Sequence, residues 1–204
     1  LSQELVFEGT YGYRGDDGAS LVGVSASDST SPVSGCLSYN FVSANPALSG
    51  MEYARRAHTA GLTLARAIAP QIIIGATAKY YNYDSDVMGD EGGSGYTNDL
   101  GLTVKATDGF NIAAVGYNLW GDRNAQYPRA VGGGASLRPI GSLTLAFDAV
   151  WNLDAETKGR YGGGGEWFFS AKNGQLGYPV RAGALHDSEV DATYLTVGAG
   201  MTGM

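Results

Sequence analysis

A chain of 204 residues can hold one large all-β unit or two small domains. Its net charge of −7 argues against nucleic acid as a partner, and its one cysteine, Cys36, rules out an intramolecular disulfide and disfavours a cysteine zinc site. Charged residues make up only 16%, below the roughly 25% of an ordinary soluble domain, yet no apolar run approaches the roughly 20 residues of a membrane helix.

Alternating segments of about ten residues recur from one end of the chain to the other, and a 3.6-residue period is nowhere sustained. The pattern predicts strands over 4–14, 19–27 and 34–43, with Asn45-Pro46-Ala47 read as a loop turn. Segment 54–68 carries helix-forming Ala, Leu and Arg, but Thr59, Gly61 and Thr63 turn the reading to strand. Further strands are predicted over 72–83, 97–107, 110–120, 129–138, 142–152, 160–171, 176–186 and 192–202, twelve in all.

From the fourth strand on, connectors alternate in length. Short turns fall at 69–71, 108–109, 139–141 and 172–175; long polar loops fall at 84–96, 121–128, 153–159 and 187–191. Asp108-Gly109 is a hairpin signal, because a type I′ turn needs positive φ at both central residues. Short turns on one side and long loops on the other are the layout of an outer-membrane barrel.

Each short turn sets a register that can be checked for two unlike faces. Across 69–71, Leu64 and Leu62 should face Ala76 and Ala78, with Thr63 and Gly61 facing Thr77 and Lys79. Across 108–109, Leu102 should face Val115 and Leu100 should face Tyr117, with Lys105, Thr103 and Asp99 on the other face. Across 139–141, Leu137 should face Leu143 and Gly133 should face Phe147, with Asp148 on the glycine-rich face. Across 172–175, Phe169 should face Tyr178, Trp167 should face Val180, and Glu166 should face Arg181.

Every hairpin thus separates a bulky apolar face from a face of small residues and isolated charges. Charge inside a dry sandwich is costly, whereas a wet barrel lumen tolerates it. The expectation is one all-β domain over 1–204, an antiparallel up-and-down transmembrane β-barrel. Phe147, Trp151, Trp167 and Phe169 would point to lipid, with Tyr80 and Tyr117, and an interfacial girdle would comprise Tyr80, Tyr81, Tyr83, Trp120, Tyr127 and Trp151. Glu166 and Arg181 form the sharpest expected pair, and Asp148, Lys105 and Lys79 would extend it into a lumen network.

No metal, cofactor or catalytic set is expected. His58 and His186 are the only histidines, and neither has a second ligand at a zinc spacing. The glycine runs 132–134 and 162–165 lack the Lys-Ser/Thr of a phosphate loop and are read as barrel interior. Asp84, Asp86, Asp90 and Glu91 lack the order of a calcium loop and are read as solvated.

The phrase from Leu62 through Pro70 to Gly75, continued by Lys79-Tyr80-Tyr81, resembles the FadL/PorV type of outer-membrane protein. So do Gly164-Gly165-Glu166-Trp167, Val180-Arg181-Ala182-Gly183 and Tyr194 to Gly200; the resemblance spans about residues 54–202. It implies a Gram-negative outer-membrane location and a barrel of fourteen strands. It also implies a passive channel for hydrophobic or small solutes or, as in the PorV branch, a non-transporting anchor or assembly partner. Partners would then be outer-membrane lipid, hydrophobic small molecules, or a protein at the extracellular loops. The Asn-Pro-Ala phrase follows three predicted strands, unlike the family's N-terminal plug. Leu1 is not a start residue, and Thr202-Gly203-Met204 closes without an aromatic strand, so truncation at both ends is expected, with more strands following in the full protein. A soluble β-sandwich binding protein remains the alternative from a different class.

Overall fold

The computed structural model describes residues 5–14, 18–48, 51–89, 92–122, 124, 126–154, 159–171 and 176–203. The described residues contain no helix. Their strands are β1 (Leu5–Arg14), β2 (Ala19–Asp28), β3 (Val33–Ala44), β4 (Ala47–Leu48), β5 (Met51–Glu52), β6 (Arg55–Ala69), β7 (Ile72–Ser85) and β8 (Gly93–Thr107). They continue with β9 (Phe110–Gly121), β10 (Ala130–Ile140), β11 (Leu143–Asn152), β12 (Gly159–Ala171), β13 (Leu176–Asp187), β14 (Ala192–Ala199) and β15 (Thr202–Gly203).

All twelve predicted segments are strands, and segment 54–68 is β6, not a helix. The twelve long strands follow one another in chain order in one up-and-down antiparallel sheet, which is an open path: among the described residues no ladder closes it. A sandwich divides its strands between two sheets, whereas these follow a single path. Two differences from expectation are local. Asn45-Pro46-Ala47 leads into a small β4–β5 hairpin, and the last predicted strand ends at Ala199, with β15 pairing β13 instead of prolonging β14.

The chain divides into two compact units, Leu1–Leu100 with Tyr117–Pro128 and Gly101–Gly116 with Arg129–Met204. In each, successive side chains point to opposite faces, so a ladder of strands becomes two sets of rows. In the first unit Phe7, Ala26, Leu37, Leu62 and Ala78 form one row across β1, β2, β3, β6 and β7. The next row, on the other face, is Glu8, Ser25, Ser38, Gly61 and Lys79. In the second unit Ala135, Phe147, Gly163, Ala184 and Leu195 alternate with Gly134, Asp148, Gly162, Leu185 and Tyr194.

The registers across 69–71 and 172–175 are those expected, residue for residue, although 172–175 themselves lie outside the described residues. The register across 139–141 is not. The turn is Gly141-Ser142, Leu137 pairs with Leu145, and Ala135 with Phe147; the ladder is irregular between Leu137 and Ile140. Pro139 has no N–H to give the ladder, and a bulge absorbs it. The slip is two residues, an even number, so both faces keep their predicted composition.

Candidate functional site

The apolar rows are uncovered. Leu5, Phe7, Tyr11, Leu37, Leu62, Leu64 and Tyr80 are exposed in the first unit, and Phe147, Trp151, Trp167, Phe169 and Leu195 in the second, where Val197 reaches 89%. Of the six aromatics expected on this face, five are exposed and Tyr117 is half-buried. On β12 the row runs Tyr161, Gly163, Gly165, Trp167, Phe169, so aromatics bracket a small-residue stretch. Tyr161 accepts a hydrogen bond from the Trp151 indole at 3.2 Å, while Trp167 packs against Phe169 with centroids 6.3 Å apart. Eight residues of strand separate Tyr161 from Phe169, about 26 Å at the usual rise.

Tyr81, Tyr83 and Tyr127 do not belong to a girdle. Tyr81 is 1% exposed, Tyr83 is buried and Tyr127 is half-buried. Tyr80 and Tyr81 are neighbours on one strand and must point to opposite faces, so only Tyr80 shares the apolar face. Tyr81 instead sits opposite Thr59, on the polar face.

That polar face of the first unit holds the most buried side chains among the described residues, Tyr81 and Thr97. Lys79 on β7 lies 2.7 Å from Asp99 on β8, with side chains only 18% and 14% exposed, and its Nζ also donates to Asn118 Oδ1 at 2.7 Å. Asn118 on β9 holds positive φ, +52°, a conformation that asparagine tolerates better than most residues. Its backbone N–H donates to Asp99 Oδ1 and its side-chain amide to the carbonyl of Pro128, 2.9 and 2.8 Å away. Three residues on, Gly121 has φ +129°; a Cβ there would collide with the Tyr96 carbonyl and with Thr97, itself 2% exposed.

Beyond Gly121, Asp122, Tyr127 and Pro128 are held against the polar face. Asp122 accepts a hydrogen bond from the Tyr96 N–H at 2.9 Å. Tyr127 stacks on Tyr81 with ring centroids 4.1 Å apart, and its hydroxyl meets Thr59 Oγ1 at 3.0 Å. The predicted lumen charge Lys79 is thus paired inside the first unit with Asp99 and Asn118. Asp99 had been placed on the polar face but not against Lys79: seven residues connect β7 to β8, and a loop of that length sets no register.

In the second unit Glu166 and Arg181 are cross-strand partners with Arg181 Nε 2.6 Å from Glu166 Oε2. With Asp148, Thr144 and Thr196 they line a recess of about 390 Å³ floored by Gly162 and Gly164. Lys105 does not join them; it lines another recess with Thr103, Asn111 and Ser136, where Asn111 donates to Ser136 Oγ. Within the glycine run Gly164 leaves the least room, since a Cβ there would lie 2.9 Å from the Ala182 carbonyl oxygen. A Cβ on Gly162 would come within 2.8 Å of Asp148 Oδ1, and one on Gly163 within 3.0 Å of the Phe147 ring.

A second ion pair went unpredicted although it was legible. Arg160 Nε lies 2.8 Å from Asp187 Oδ2, six residues from Glu166–Arg181 in the same register. Near the loops, Arg129 donates to Asp154 through Nε and Nη2 at 2.9 and 2.6 Å, which holds its guanidinium above the usual range. Asp84 is on β7; Asp90 and Glu91 lie outside the described residues.

No family model, curated protein or solved structure matches this chain.

Proposed function

We propose that this chain forms the wall of a bacterial outer-membrane β-barrel of the FadL/PorV type and acts as a passive channel, with no enzymatic role. The observation that carries the reading is the uncovered apolar face opposite a hydroxyl- and charge-bearing one. A protein in water rarely exposes a contiguous apolar patch beyond a few hundred Å². Here rows of Leu, Val, Phe and Trp continue across several strands in each unit without a covering layer among the described residues. Hydrocarbon removes that cost, and the aromatics at both ends of β12 suit the headgroup levels. Pairing on both sides satisfies the backbone of the inner strands, and closure of the sheet would have to do the same for the edge strands β1 and β14, as a bilayer requires.

Heat-modifiability of the full-length protein in an outer-membrane fraction tests the barrel. A mobility shift on boiling and retention in the membrane pellet are expected; a soluble, unshifted protein sinks the reading. Leu62→Arg adds a residue-level check at the centre of β6. If Leu62 faces lipid, the substitution costs about 2–4 kcal/mol in reversible refolding into bilayers. If it faces water, the change stays within about 0.5 kcal/mol.

A non-transporting anchor is the second reading, favoured by the chain segment that Tyr127 holds against the polar face. Liposome swelling separates the two.

A further inference from the structure

We infer that the Tyr127 segment is the size-selecting element of the channel, and that the solutes it admits are small, uncharged and polar. The inference rests on the channel reading above and narrows its solute class.

The first argument is position. Strands β6, β7 and β8 present Thr59, Tyr81 and Thr97 to the polar face, and the last two are the most buried side chains described. What covers them includes the connection between β9 and β10. Tyr127 lies flat on Tyr81, Pro128 takes the Asn118 amide, and Asp122 takes the Tyr96 N–H. A connection that merely joined two strands in solvent would need none of these bonds. Five anchoring residues, Thr59, Tyr81, Tyr96, Asn118 and Gly121, lie on β6 to β9 and hold the segment in one place.

The second argument is chemistry. Towards the loops the polar face carries one apolar row, Gly12, Leu21, Val42, Ala57 and Tyr83; the rows at the segment and beyond it are Thr10, Gly23, Asn40, Thr59 and Glu8, Ser25, Ser38, Gly61, with Thr63 bonded to Thr77 through their hydroxyls at 2.9 Å. A solute moving along them meets hydroxyl and amide groups. Past the apolar row, an acyl chain would strip water from these polar groups without pairing them, which is unfavourable. Charges of both signs share this face: Lys79 is paired with Asp99, and the face also carries Arg55 towards the loops, Asp122 on the segment and Glu8. Fixed charges of mixed sign create little net potential to favour one sign of ion.

Swelling of proteoliposomes holding the full chain, in sugars of rising mass, tests both parts. Wild-type protein should pass small sugars and exclude larger ones. Tyr127→Ala should shift the exclusion limit upward, and Tyr127→Phe, which keeps the stack on Tyr81, should leave it nearly unchanged. If Tyr127→Ala fails to show the heat shift of a folded barrel, Thr59→Val asks the same question by removing the hydroxyl that holds the phenol; a smaller upward shift is expected. Identical exclusion by wild type and the folded variants overturns the inference while leaving the channel in place. Across a potassium chloride gradient the reversal potential should lie near zero; a value close to the limit for one ion overturns the solute class. A heat-shifting wild type that passes no sugar removes the channel reading itself, and this inference with it.

Discussion

The polar faces of the two units are built from the same two-residue alternation but filled in opposite ways. In the first, Lys79, Tyr81, Thr97, Asp99 and Asn118 fill the face, and Tyr127 covers it. In the second, glycines lie level with Asp148, Glu166 and Arg181, and the recess stays open. A large side chain on a polar row needs a satisfied partner once it is enclosed; a glycine needs none and leaves room for water. The comparison teaches that similar ion pairs carry different weight according to enclosure.

Asp99→Asn should have the largest effect. It leaves Lys79 without its carboxylate in an enclosed site, and such losses cost about 3 kcal/mol. Thermal or urea unfolding of the refolded protein would measure it, and a change below about 1 kcal/mol would erase the contrast between the units.

Next comes Gly163→Val. Its Cβ would press on the Phe147 ring, which is 65% exposed and can swing aside, so the loss should stay at about 1 kcal/mol. The double variant Gly163→Val with Phe147→Ala should recover part of that loss; a purely additive result would show that the ring is not what the glycine accommodates.

The smallest effect is expected from Glu166→Gln. Arg181 and Glu166 are 66% and 32% exposed, so water and salt screen the pair, and the loss should stay near about 0.5 kcal/mol. Raising salt should shrink even that, whereas the Asp99→Asn effect should persist. An equal loss in the two variants would mean that the second recess is as enclosed as the first face.

How far the sequence could be read depended on turn length. Pro70-Gln71 leaves almost no freedom between β6 and β7, and the register from Leu62–Ala78 to Gly61–Lys79 came out as expected. Glu166–Arg181 was legible for the same reason, and Arg160–Asp187 would have been, had the ladder been followed to its end. Pro139 misled the count by two residues, because a bulge near a proline hides in a sequence that still alternates. Tyr81 and Tyr83 were misplaced because tyrosine suits an interfacial position and a polar interior equally well.

What the sequence determined by itself is the set of strands and the two faces of each, since a period of two in residue type is also the period of side-chain direction. Only the tertiary structure decided what meets across a long connection. Lys79 with Asp99, Asn118 with Pro128, and Tyr127 with Tyr81 and Thr59 are joined through space by segments whose length leaves many closures open. Among those closures, enclosed packing and the demand that buried polar groups find partners choose one.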